Sequence, residues 1–185
     1  MSSQQKNLVS ALAAIILASV IVFGFDVDIF FWFDDPQALE APVTTTALVT
    51  SVIDGDTFKA KIGTTTESVR LIGIDAAEIA WPSAENGLSE PEPECYGWEA
   101  REALAEYVLD REAVLATDRL QPEYDDYGRR LAYVYVEGEL VNQKLIANGF
   151  AHELSVRAGY EKQESFHASQ KLAQDEAIGL WAACE

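Results

Sequence analysis

Basic residues are few in this 185-residue chain: Lys and Arg total 13, against 31 Asp and Glu, for a net charge of −18. Residues 1–36 hold Lys6 and four acids, so the remainder carries 12 basic and 27 acidic residues, a net of −15. Proteins that bind polyanions broadly show a basic face, because neutralising phosphates releases counterions. A general polyanion binder is therefore excluded, and any nucleic-acid role must rest on a few focused cations and a metal. Two origins of the acidity stand side by side. One is adaptation to high salt, where a Debye length of roughly 3 Å at about 1 M makes global repulsion small. The other is ordinary acidic solubility.

Cysteine and histidine are also scarce. Cys95 and Cys184 stand alone, without a CxxC pair, and two thiols cannot build a metal cage. If the domain lies outside the membrane, one disulfide between them is the natural pairing. It would close a long loop worth about 4 kcal/mol in the chain-entropy model; the alternative is two free buried thiols. His152 and His167, the only histidines, read as surface or helix residues rather than catalysts.

One long apolar run is present. Leu8–Phe25 is 18 residues without a charge, near the minimum for a membrane-spanning helix. Lys6 precedes it, Asp26 and Asp28 follow, and Phe30–Phe33 (FFWF) resembles an interfacial aromatic belt. A cleaved signal peptide is the rival reading, but no A-x-A-like cleavage signal follows. Both readings put the domain outside the cytoplasm, either on a single-pass anchor at the cell membrane or secreted. The expected organisation is a short cytoplasmic N-terminus (1–7), a signal anchor (8–25), a linker (26–43) and one folded domain (44–185).

Within that domain the patterns alternate between periods of two and of 3.6. Ala47–Ile53, Thr57–Ile62, Ser68–Ile74, Ala113–Thr117 and Leu131–Val136 read as strands. Tyr96–Leu109, Leu140–Asn148 and Tyr160–Glu176 read as helices, the first with Ala100, Ala103, Leu104, Tyr107 and Val108 on one face. Trp81–Glu94, rich in Pro, Ser and Glu, reads as an exposed loop. The class is α+β, mainly β: a five-stranded Greek-key barrel of the OB type with about three helices.

Three clusters carry chemistry. Asp54-Gly55-Asp56 sits at a strand boundary, and alone it would be a common turn. Arg70 opens an apolar stretch that ends in Asp75-Ala76-Ala77-Glu78. An arginine there needs a polar pocket. Tyr124–Arg130 (YDDYGRR) puts two arginines at the mouth of another strand. Together they offer carboxylates for a hard cation and guanidinium groups for a phosphate. That is the equipment of metal-assisted phosphodiester hydrolysis.

The segments VIDGDTF, VRLIGIDAAE, ECYGWEAREAL, DDYGRRLAYVYVEGELVNQKLIANGFA and GLW, in this order and spacing, resemble the staphylococcal (micrococcal) thermonuclease family over Val49–Trp181. The resemblance implies an OB-type barrel that cuts DNA and RNA on the 5′-oxygen side and leaves 3′-phosphate ends. It implies Ca2+ held by Asp56, Asp75 and the main-chain carbonyl of Ala76. Glu78 would orient or deprotonate the attacking water, Arg70 and Arg129 would hold the phosphate, and Tyr127 would lie near the nucleotide end. Asp54 reads as a turn residue near the metal, and Asp126 as the residue that orients Arg129 or caps a turn. The expected partners are a DNA or RNA substrate and, through the N-terminal helix, the membrane; the protein reads as a monomer with no protein partner.

Three departures from the family stand out. Ala76-Ala77 replaces Thr-Pro, the loop from Glu78 to Tyr96 is longer and acidic, and Ser155 and Arg157 stand where the family has a tyrosine pair. The alternatives to an enzyme are an OB-barrel binding module without turnover and a calcium-stabilised structural protein.

Overall fold

Phe58 and Ala60 are buried and Lys59 and Lys61 exposed along Thr57–Ile62, as strict alternation requires of a half-buried strand. The computed structural model describes residues 42–79, 92–155 and 158–184. The expected anchor, its aromatic belt, residues 80–91 of the acidic loop and Arg157 lie outside the described residues. No described helix is long and apolar enough to cross a membrane.

The strands are β1 (Thr44–Val52), β2 (Thr57–Ile62), β3 (Thr65–Leu71), β4 (Ile74–Asp75), β5 (Glu112–Ala116), β6 (Arg130–Val136), β7 (Glu139–Leu140) and β8 (His152–Glu153). The helices are α1 (Gly97–Val108), α2 (Val141–Ala147), α3 (Gln163–Asp175) and the single turn α4 (Leu180–Ala183). Strands β3, β2, β1, β5 and β6 pair antiparallel in that order, and β3 meets β6 in parallel. The result is a closed five-stranded mixed barrel with three main helices. β7 extends the ladder beyond β6, while β4 and β8 form a separate two-stranded sheet.

The barrel interior is filled by Val49, Phe58, Val69, Leu71 and Val134, each nearly inaccessible to solvent. Helix α1 adds Ala100, Ala103, Leu104 and Val108 to the core from one face. Tyr107 is only partly buried against it, so the apolar stripe is narrower than the spacing suggests. Phe166 of α3 meets the Tyr133 ring edge-on, with centroids 6.2 Å apart. The Tyr133 hydroxyl donates to buried Asp118, which also accepts the Glu161 N–H at 2.7 Å.

Ser68–Ile74 reads as one strand in sequence, but the chain breaks it after Leu71. Gly73 has φ +73°, and a Cβ there would fall 2.6 Å from the Tyr160 ring. That left-handed residue turns the chain out of the barrel. It restarts as β4, paired with β8 rather than with a barrel strand.

Candidate active site

The parallel junction of β3 and β6 brings the arginine clusters together. In that ladder Val69 stands opposite Arg130 and Arg70 opposite Leu131. Arg129, one residue before β6, therefore emerges beside β3. On the other edge of β3, Arg70 is opposite Thr57, and the Leu71 N–H donates to the Asp56 carbonyl at 2.9 Å. The register of two ladders thus puts the Asp54–Asp56 turn, Arg70 and Arg129 at one end of the barrel.

The turn itself depends on Gly55. A Cβ there would lie 2.6 Å from that of Ala76 and 2.7 Å from that of Ala100. Only glycine lets the turn, the segment after β4 and α1 come this close. Asp54 Oδ1 accepts the Asp56 N–H at 3.1 Å. Arg101 on α1 donates to the carbonyls of Val52 and Ile53 at 3.2 and 3.3 Å, fastening the strand end that leads into the turn.

Asp56 is only 2% exposed, and a carboxylate so buried needs partners. Its Oδ1 accepts the Thr57 hydroxyl at 2.8 Å and its Oδ2 the Ala76 N–H at 3.1 Å. One Arg70 nitrogen, Nη1, also contacts Oδ2. The other, Nη2, donates to Asp75 Oδ1 at 3.0 Å and to the Ile74 carbonyl at 3.2 Å. One guanidinium therefore joins the two carboxylates expected to share a cation.

Arg129 is pre-oriented by Asp125, not by Asp126. Asp125 Oδ1 accepts the Arg129 N–H at 2.9 Å, and Oδ2 accepts Nε at 2.7 Å. The guanidinium carbon lies 5.4 Å from the ring centroid of Tyr127, a side chain 86% exposed. Burial lowers the Arg70 pKa, and the positive charge of Arg129 lowers it further. The hydrogen bond and charge of Asp75 oppose that fall. Arg130, the other arginine of the motif, turns to Glu67 and Glu123 at 2.9 and 2.6 Å and reads as structural.

Glu78 is exposed, three residues beyond β4. Partial burial raises its pKa above the ordinary carboxylate range, and the charges of Asp54, Asp75 and Glu94 add to the rise, against the pull of Arg70. Asp54 is raised by burial too, against the lowering influence of Arg70. With Asp56, five carboxylates stand against the two site arginines, so the site is short of positive charge.

A family model described as the staphylococcal nuclease homologue matches residues 68–183. The chain is 34% identical over 134 residues to the thermonuclease of Staphylococcus hyicus, covering 72% of this chain and 74% of that protein. The thermonuclease of Staphylococcus intermedius gives the same identity and coverage. Endonuclease YncB of Bacillus subtilis is 30% identical over 131 residues, 70% of this chain and 58% of that protein. This chain belongs to the staphylococcal nuclease family. Arg70, Asp75, Ala76, Glu78, Tyr127 and Arg129 all fall within the span that the staphylococcal nuclease model matches, and Asp56 falls before it.

The donors at this site suit a hard, oxygen-loving cation such as calcium. Asp56 and Asp75 would supply carboxylate oxygens and Ala76 its main-chain oxygen. Among the described residues no three His, Cys, Asp or Glu side chains are grouped to hold a metal. The expected set has only two such side chains, and Arg70 links them. Ser155 is turned into a polar knot. Its hydroxyl meets both Glu153 oxygens at 3.1 Å and His167 Nε2 at 3.2 Å.

The sequence reading missed three contributors: Arg101, Asp125 and Glu94. Each had a local signal. Arg101 lies inside ECYGWEAREAL, Asp125 precedes Arg129 by four residues, and Glu94 adjoins Cys95.

Proposed function

We propose that this protein is a calcium-dependent endonuclease that hydrolyses phosphodiester bonds of DNA and RNA. The observation that carries this reading is the convergence of Asp56 and Asp75 on one guanidinium, with Arg129 close by and Glu78 at the edge. Its relatives, named as thermonucleases and endonucleases, point the same way. In this reading the barrel is of the OB type and the chain acts as a monomer.

Arg70 and Arg129 bind the non-bridging oxygens of the scissile phosphate. As the water oxygen bonds to phosphorus, they offset the charge that grows on those oxygens, the largest electrostatic contribution in reactions of this kind. Asp125 keeps Arg129 extended towards that position before substrate arrives, so little reorganisation is needed. Glu78 accepts the proton of the attacking water, and its raised pKa makes it a better acceptor than an ordinary carboxylate. The bond from phosphorus to the 5′-oxygen breaks, leaving a 3′-phosphate end. Tyr127 lies along the nucleotide next to Arg129. Calcium, when bound by Asp56, Asp75 and the Ala76 carbonyl, supplies positive charge that polarises the phosphate and acidifies nearby water.

The domain is placed outside the cytoplasm, on an anchor at 8–25 or released from a signal peptide. The Cys95–Cys184 disulfide supports an oxidising compartment.

The test is cleavage of single-stranded DNA by the full-length chain. Activity should require calcium and stop with chelator. Glu78→Gln should lower kcat about 10²–10⁴-fold, and Arg129→Ala about 10²–10³-fold. Tight oligonucleotide binding without any calcium-dependent cleavage would instead favour a binding module.

A further inference from the structure

Glu78 is an exposed side chain on the connecting segment three residues beyond β4, between the buried Ala76 and Ile79. A proton acceptor on such a segment is useful only if its backbone is held, because misplacement by about 1 Å can cost about 10²-fold in rate. Two of the hydrogen bonds that hold it come from a single residue. Glu94 donates its N–H to the Glu78 carbonyl at 3.0 Å, and its Oε2 accepts the Glu78 N–H at 3.0 Å. Gly97 closes in beside it: a Cβ there would fall 2.8 Å from the Glu78 carbonyl oxygen and 3.1 Å from that of Ala77. The Gly97 N–H donates to the Glu94 carbonyl at 3.1 Å, so Glu94 and the start of α1 form one turn against Glu78.

Glu94 adjoins Cys95, which is disulfide-bonded to Cys184 across 89 residues of sequence. Cys184 is itself well anchored. It follows α4, whose Leu180 N–H donates to the Gly149 carbonyl at 2.8 Å. A Cβ on Gly179 would meet that carbonyl oxygen at 2.4 Å, so the two backbones are in direct contact. Trp181 of the same turn packs edge-on against His152, with centroids 4.7 Å apart. His152 in turn is the ladder partner of Asp75. The contacts thus leave the site at Asp75 and return to it at Glu78. A cleft of about 250 Å³ lies within this ring, lined by Asp75, Glu94, His152, Leu180 and the two cysteines.

We propose that Glu94 is a positioning residue for Glu78 and that the Cys95–Cys184 disulfide holds Glu94 in place, so that turnover depends on the oxidation state of that pair. This rests on Glu78 being the acceptor of the water proton. Glu94 acts through the Glu78 peptide group and touches no reacting atom. Reduction by a dithiol reagent converts the disulfide to two thiols, with the reagent oxidised to its own disulfide. That frees the Glu94 turn from α4 while leaving the barrel ladders intact.

The experiment uses the full-length chain as wild type, Glu94→Gln, Glu94→Ala and Cys95→Ser/Cys184→Ser. It reads kcat and KM on single-stranded DNA, and hydrogen exchange at the Glu78 amide. Glu94→Ala should lower kcat about 10- to 100-fold. KM should stay within about twofold, as for a loss confined to the transition state. Glu94→Gln keeps an oxygen acceptor for the Glu78 N–H and should recover most of the loss. The double serine variant and the dithiol-reduced wild type should both fall in the same direction as Glu94→Ala. Glu78 exchange should be faster in all three impaired forms, while barrel amides stay protected. Full kcat in Glu94→Ala, equal impairment in Glu94→Gln, or unchanged Glu78 exchange on reduction would overturn the proposal. A wild type without calcium-dependent turnover would instead remove the functional reading, and the exchange measurement would still decide the clamp.

Discussion

Asp125 illustrates how much one side chain can set. It accepts the N–H of Tyr127 at 2.9 Å, the N–H of Arg129 and the Arg129 Nε. Gly128, at φ +76°, lets the turn close, and its N–H donates to the Asp125 carbonyl. Asp126 sits one position too late for this ring of bonds, which is why it is Asp125 that orients Arg129. Burial alone would raise the Asp125 pKa, but the hydrogen bonds from Arg129 and Tyr127 outweigh it and hold the pKa below the ordinary value. A carboxyl with a depressed folded pKa stabilises the fold fully above its unfolded value, about 3.9. That contribution disappears as pH falls through the lower, folded pKa. Asp125→Asn keeps an acceptor but loses the charge. It should lower kcat roughly tenfold through looser Arg129 placement. It should also remove part of the stability lost below about pH 4. Steady-state kinetics and urea midpoints between neutral and acid pH check both.

Among the elements, the β3–β6 junction matters most, because it is the only parallel pairing among the described residues and it brings the two site arginines to one end of the barrel. Only three residue pairs make it: Val69 with Arg130, Arg70 with Leu131, and Leu71 with Ala132. Asn142 of α2, fully buried, reinforces it. Its Nδ2 donates to the Ile72 and Ala132 carbonyls at 2.9 and 3.2 Å, and its Oδ1 accepts the Val134 N–H at 2.8 Å. Asn142→Ala strands the Val134 N–H and the Ile72 carbonyl, because Ala132 still has the Ile72 N–H. At about 1–3 kcal/mol for each of these two unsatisfied buried groups, the variant should lose about 2–6 kcal/mol, read as a lower urea midpoint at unchanged slope. The periodic elements were legible in sequence because each strand or helix repeats its own signal: Thr57–Ile62 matches to the residue. Asn142, β4 and β8 were not. A two-residue pairing such as Ile74 with Glu153 has no period to read, and its partners meet only after the barrel has closed. The site divides in the same way. The candidate residues Asp56, Arg70, Asp75, Glu78 and Arg129 stand in motifs, and Asp125 lies in the same motif as the Arg129 it holds, whereas Arg101 and Glu94, which fasten the Asp54–Asp56 turn and the Glu78 backbone, lie in other segments.

Across the whole molecule, the charge of −18 opposes the substrate that the site is built to take. Relatively few cations face that substrate, and Arg70, the most buried of them, is already engaged with two carboxylates. At about 0.01 M salt the Debye length is roughly 30 Å, so a phosphate approaching the site feels most of the protein's acidity. At about 0.15 M it is roughly 8 Å, and only the groups lining the site still count. Basic nucleic-acid binders lose affinity as salt rises, because fewer counterions are released to their advantage. In this protein the sign should reverse over the low range. KM for a fixed-length single strand should fall as salt rises from about 0.01 to 0.15 M and then level off. kcat should change little, because in the proposed mechanism the arginines and Glu78 would act within a few ångströms of the phosphate, where screening by mobile ions is weak. The measurement is a sodium chloride series at saturating calcium. A KM that climbs steeply from the lowest salt would mean that the site cations dominate association and that the acidic surface lies too far from the path of the substrate to matter.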